Sequence, residues 1–364
     1  MRSKLGSVRW LLVALPVTVV WSSFVPTSLD RPAFTRAYAA APRTTADSAF
    51  ARLVQRLSEP GGYFDSDNLI SNETSYLHVL DGMRRMKVQG GAYIGVGPDQ
   101  NFSYIAAVRP NLAFMLDIRR DNLLEHLMYK ALFELSADRT EFVSRLFSKP
   151  HSDGLGPASS AQDIFNAYWN PQTSDEAVFK KNLKAIGDLL TQKHGFPLSS
   201  DDLAGLEYVY HNFYYFGPGI NYTSSSLRFG VAGPQYPTYA DLMMHTDGSG
   251  VSRSYLASEE NFKTVKDLQE KNLIVPLVGD FAGPKAIRAV GKYLKEHGAT
   301  VTAFYVSNVE HFLDGVRNNF CANVASLPLD ENSTFIRASR GGDGSSPLGA
   351  MQAETKGCWL PSPR

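Results

Sequence analysis

Apolar residues recur along this chain with two periods, and the way these alternate outlines an α/β protein. Phe50, Leu53, Val54 and Leu57 keep the i, i+3, i+4, i+7 spacing and predict a helix over Ser48–Leu57. Leu77, Leu80 and Met83 share one face of a second predicted helix, Thr74–Met86. Then the period is lost. Ala92–Val96 is a short unbroken apolar run, and Leu112–Leu116 is another, ending on Asp117. Runs of this length bounded by turn residues suit strands buried on both faces, as in a parallel sheet. Helical patterning returns over Leu123–Leu135, Thr140–Phe147, Asp175–Gln192 and Ser200–Tyr210, the last opening on residues suited to N-capping. A strand at Leu273–Val278, a helix over Pro284–Glu296 and a strand at Thr300–Val306 read as a second βαβ unit. Pro284 opens that helix and Gly298 follows its end, as capping preferences expect.

Between these elements lie two irregular stretches, residues 148–162 and Phe216–Gly250, rich in Gly, Pro, Ser and Tyr. They fall within an insertion expected at about 148–270. Residues 340–364, dominated by Gly, Ser and Pro, read as a disordered tail. The domain itself is expected over 47–339. Ahead of it, Arg2, Lys4 and Arg9 precede the mostly apolar Trp10–Trp21, the pattern of a secretory signal or membrane anchor, with residues 26–46 as linker. That pattern predicts an exported or membrane-anchored protein, touching a membrane only through this segment. Cys321 and Cys358 are free to pair in an oxidising compartment, although spacing alone does not establish their approach.

Formal charge is zero, with 36 basic and 36 acidic residues, so no net field draws the chain to nucleic acid. Chemistry is instead concentrated after the first strand. Gly95-Val96-Gly97-Pro98-Asp99-Gln100 forms a Gly-x-Gly turn entering a helix, and Asp117 tips the next strand. Glycines there let the backbone approach a ligand, and the acid would reach ribose hydroxyls. The third glycine of a dinucleotide fingerprint is missing, which argues against a pyrophosphate on the helix N-terminus and for a nucleoside without phosphates. Asp117 is equally suited to pairing with Arg119 or Arg120.

On these residues the chain resembles the Rossmann-like methyltransferases that use S-adenosylmethionine. The resemblance implies a Rossmann-like, mostly parallel sheet flanked by helices, here with a helical N-terminal extension. It also implies a cofactor site at Gly95, Gly97, Asp99, Gln100 and Asp117, and it places Asp280, at the end of what would be a central strand, near the reacting groups. The motif's usual acid two residues before the first glycine is replaced by Tyr93. Segments such as DNLISNETSYLHVL and NLIVPLVGDFAGPKAIRAVGKYL resemble a family of uncharacterised bacterial proteins with such a core, over about residues 60–340.

Further candidates lie outside the turn. Asn72, Glu73 and Tyr76 fall near one helix face before the first strand, either lining the pocket or capping the helix. His211, within the aromatic run Tyr208–Tyr215, is a possible general base beside Tyr76 and Asp280. His245 and Asp247 lack the spaced partners that a metal site needs, so no metal is expected. The functional expectation is therefore a methyltransferase-like protein binding S-adenosylmethionine or a related nucleoside. The rival is a non-catalytic exported protein that keeps the scaffold for another ligand or a protein partner.

Overall fold

The strands run Ala92–Gly95 (β1), Leu112–Asp117 (β2), Ile274–Val278 (β3), Val301–Ser307 (β4), Thr334–Arg337 (β5) and Leu348–Ala350 (β6) in the computed structural model. The structure describes residues 45–170, 173–225, 236–338 and 348–358, all within one compact unit. The expected signal or anchor and most of its linker lie outside the described residues. No helix among the described residues is long and apolar enough to cross a membrane.

The six strands form one sheet in the order β3-β2-β1-β4-β5-β6, parallel except for β6, which runs antiparallel to β5. Every residue of β1, β2 and β3 is buried, which explains their unbroken apolar runs: both faces of the sheet are covered. β1 lies at the centre, pairing Ala92 with Leu112 on one side and with Val301 on the other.

Three expectations need correction. β3 and β4 are consecutive but not neighbours: the helix Ala286–Glu296 carries the chain from the β3 edge past β2 and β1 to the other half of the sheet. Periodicity shows that a strand–helix–strand unit exists, but not how many strands the crossover spans. Asp280 therefore follows an edge strand and not a central one. The tail expected from residue 340 is in part ordered structure. β6 pairs Leu348 with Ile336, the helix Met351–Glu354 follows, and Cys358 forms a disulfide with Cys321 of the helix Arg317–Ala325. A three-residue strand among glycines leaves too little apolar pattern to be read from sequence.

The insertion builds a second helical layer. The helix Arg120–Leu135 is buried from Asn122 to Phe133 because it packs on β2 and β3 with one face. The helices Ser200–Phe216 and Glu259–Glu270 cover it from outside. Thr74–Met86 is a shorter element than expected, a 3-10 turn at Tyr76–His78 leading into the helix Val79–Arg85.

Candidate functional site

The turn after β1 is fixed from below by two buried polar side chains. Asn101 donates from Nδ2 to the carbonyls of Val96 (2.8 Å) and Pro98 (2.7 Å) and accepts at Oδ1 from the Tyr93 hydroxyl (2.7 Å). An added Cβ at Gly95 would lie 2.0 Å from that Oδ1, so glycine is required there for Asn101 to tuck under the turn. His126 donates from Nε2 to the Gly97 carbonyl (2.8 Å). Burial holds this imidazole down at about 4, so it is neutral near pH 7 and Nε2 carries its proton. Gly97 itself has φ +77°, a conformation that glycine adopts without strain.

Above the turn lies a cavity of about 290 Å³, close to the lower bound of roughly 300 Å³ for ligand pockets. It sits at the carboxyl ends of the strands, where the sheet order reverses between β1 and β4. In open α/β sheets ligands bind at this reversal point. β1 contributes Val96 and Gly97 through its turn, and Gln100 follows; β2 contributes Asp117, Ile118 and Arg119; β3 contributes Asp280 and Phe281; β4 contributes Tyr305 and Ser307. The loop before the first helix of the sheet adds Tyr63, Phe64, Asn68 and Glu73. This loop docks through Gly62, whose N–H donates to the Ile118 carbonyl (2.8 Å). A roof of Val309, Phe312, Leu313 and Val316 closes from the β4 side, with Phe312 edge-on to Phe64 at 5.1 Å. Asn68 (φ +47°) and Ser307 (φ +49°) are two of the six non-glycine residues with left-handed backbone among the described residues, and both line the cavity. Strain of this kind gathers at ligand sites, where surrounding structure holds it.

Asp117 is already paired. Its Oδ1 accepts from the Arg119 backbone N–H and from Nε (both 2.9 Å), and its Oδ2 accepts from Nη2 (2.6 Å). Arg119 also donates from Nη1 to the carbonyls of Ser66 and Asp67, so the pair pins the overlying loop. A carboxylate offers about four acceptor positions. Three are used, which leaves one for a ligand.

At the opposite end, hydroxyls and an amide form a directed chain. Gln100 Nε2 donates to Tyr305 Oη (3.0 Å); the Tyr305 hydroxyl and the Ser307 hydroxyl each donate to Glu73 Oε1 (2.6 Å). Burial raises the Glu73 carboxyl above its ordinary range, against the lowering effect of those two hydroxyls.

Of the expected cofactor residues, the structure brings Gly97, Gln100 and Asp117 together on the cavity. Gly95 shapes the turn without lining it. Asp99 faces away into the core, accepting from the Tyr255 hydroxyl (3.0 Å), and burial pushes it up to about 7. At the start of the helix its side chain turns toward the buried hydroxyls of Tyr255 and Tyr239.

Of the candidate proton acceptors, only Asp280 lines the cavity. Its Oδ1 accepts from Ala282 N–H (2.9 Å). Tyr76 is fully buried, donating to the Leu242 carbonyl (3.1 Å), because the 3-10 turn directs it at the core. His211 is exposed on the outer layer, stacked on Tyr215 with ring centroids 6.0 Å apart. His245 pairs with the Thr74 carbonyl and Asp247 with Arg253. No group of three or more His, Cys, Asp or Glu side chains among the described residues is placed to hold a metal. Tyr305 and Ser307 were hidden in the sequence inside an apolar run. Their alternation along β4 is the signal that would have placed both on one face.

A family model described as a domain of unknown function, DUF7790, matches residues 69–356. No curated protein matches the chain.

Proposed function

We propose, for a chain that belongs to the DUF7790 family of unknown function, that the cavity binds a nucleoside-bearing small molecule and that the protein is methyltransferase-like, taking S-adenosylmethionine or a relative of it. The observation that carries this reading is the coincidence of Gly97 and Asp117 on one cavity at the β1/β4 reversal. A Rossmann-like origin accounts for the order β3-β2-β1-β4-β5, with β6 as an antiparallel addition at the edge. Gly97 offers a backbone without a side chain to the ligand. The remaining acceptor position on Asp117 suits one ribose hydroxyl, and Ile118 and Phe281 supply apolar wall for a base. S-adenosylmethionine, when bound, would supply an activated methyl group; Asp280 is the side chain of this chain that could receive a proton there.

One observation favours the rival reading of a non-catalytic binding protein. The acid at the tip of β2 is neutralised by Arg119, and two of the three candidate bases, Tyr76 and His211, lie off the cavity. Calorimetry with S-adenosylmethionine and S-adenosylhomocysteine separates these outcomes. Saturable heat that is lost in Gly97→Val supports a nucleoside site; no heat and no thermal shift at millimolar ligand overturns it. Binding without consumption of S-adenosylmethionine over a panel of acceptors selects the non-catalytic form.

A further inference from the structure

The polar chain at the β4 end leaves two acceptors unmet. Tyr305 has one hydroxyl proton, and it goes to Glu73 Oε1, so Tyr305 can only accept from Gln100. That fixes the Gln100 amide with its NH₂ toward Tyr305. Gln100 Oε1 and Glu73 Oε2 are then left without a hydrogen-bond partner, each atom shut off from solvent, in side chains that line the cavity. The Gln100 side chain is buried to all but 3%. Buried polar atoms are almost always satisfied, and an unmet pair on a cavity wall points to a group that arrives from outside.

The missing group is a donor, and charge says which kind. Among the described residues, three carboxyl groups line the cavity, on Glu73, Asp117 and Asp280, against the single guanidinium of Arg119. That guanidinium is committed to Asp117 and to two carbonyls of the overlying loop. An incoming cation with several N–H donors would satisfy both acceptors and offset the excess negative charge. The other boundary of the cavity is apolar and partly open: Phe312 is 58% and Val316 41% exposed at the rim. A bound molecule with an apolar body would cover them.

We propose that this end of the cavity is a subsite for a primary ammonium held by Glu73 Oε2 and Gln100 Oε1, and that the molecule it takes is an amphipathic amine whose apolar body lies under the Phe64–Phe312 roof. Tyr305 and Ser307 are positioning residues that orient the two acceptors. In the methyltransferase-like reading this makes the acceptor an amine; the inference rests on that reading only in placing both ligands in one cavity. Burial raises the Glu73 carboxyl above its ordinary range, and an ammonium at Oε2 would favour the carboxylate.

The test is nuclear magnetic resonance titration of the full chain with 2-phenylethylamine, ethylamine, 2-phenylethanol and 3-phenylpropionate, with and without S-adenosylhomocysteine. Expected is saturable binding of 2-phenylethylamine at millimolar concentration or below. Its preference over both the alcohol and the acid should be at least about tenfold, and ethylamine should be weaker. Glu73→Gln places a donor where the acceptor stood and should erase the preference for the amine; Gln100→Met, which keeps the stem and drops the carbonyl, should reduce it, with unchanged thermal unfolding showing that each variant is folded. Equal binding of amine and alcohol, as expected if ordered water fills the subsite, overturns the inference, as does no binding of the amine. If S-adenosylhomocysteine binds and the amine does not, the amine subsite alone falls. If the amine binds and S-adenosylhomocysteine does not, the nucleoside reading alone falls.

Discussion

Asp117 both lines the cavity and serves as a structural tie. Its pairing with Arg119 is almost wholly buried, with side chains 6% and 9% exposed. Removing one partner of such a pair leaves the other charge uncompensated, at a cost of about 3–5 kcal/mol. Asp117→Ala should therefore lower the free energy of unfolding in urea by that order, and Asp117→Ala with Arg119→Met should recover a large part of the loss. A double variant no more stable than the single one would show that the pair is not the source. It follows that loss of ligand binding in Asp117→Ala cannot identify a ribose contact by itself, because the overlying loop loses its anchor as well. The sequence held both readings of this residue open, and the structure shows the pairing: Arg119 occupies three acceptor positions and leaves the fourth unused. Asn101 was not legible as a site residue because its work is done beneath the turn, on carbonyls that no motif records.

At the scale of elements, the turn after β1 rests on the helices Gln100–Val108 and Arg120–Leu135, and their buried titratable groups make its stability depend on pH in two opposing ways. Asp99 titrates at about 7 in the folded chain instead of 3.8. Its stabilising share is complete below about pH 4 and is lost as pH rises through 7, by at most about 4 kcal/mol. His126 titrates at about 4 instead of 6.5. Its share is complete above pH 6.5 and is lost as pH falls toward 4, by about 3 kcal/mol. The variant Asp99→Asn should accordingly gain on the wild type between pH 4 and pH 8 in urea unfolding. A constant difference across that range would contradict the assignment. These helices were legible from their apolar spacing, and so were β1 and β2. What spacing could not show is which polar residue at the start of a helix points into the core. Asp99 is one position before Gln100, yet a turn of about 100° per residue sends one to the core and the other to the cavity.

Over the whole molecule, topology was the part least visible in sequence, since nothing local distinguishes a crossover to the adjacent strand from one that passes over two. β5 and β6 were missed because they are four and three residues long, too short for an apolar period to show. The disulfide fastens this late edge: Cys321 and Cys358 lie 37 positions apart with Cα atoms at 5.5 Å. Closing a loop of that length restricts the unfolded chain by about 4 kcal/mol in the loop-entropy treatment. Reductant, or Cys358→Ser, should lower the thermal midpoint by several degrees, and reductant should then have no further effect on the variant. An equal response of both proteins to reductant would rule out this bond as the cause. The central place of β1 has a consequence for biosynthesis. One edge of β1 is met by β2 within about 20 residues of chain, but the other must wait for Val301, about 200 residues after Gly95. At about 5–20 residues per second, a ribosome takes roughly 10–40 s to deliver it. Until β3 covers the β2 edge from Ile274 onward, the nascent chain carries an apolar two-strand fragment with both edges open, and the β1 edge stays open until β4 arrives.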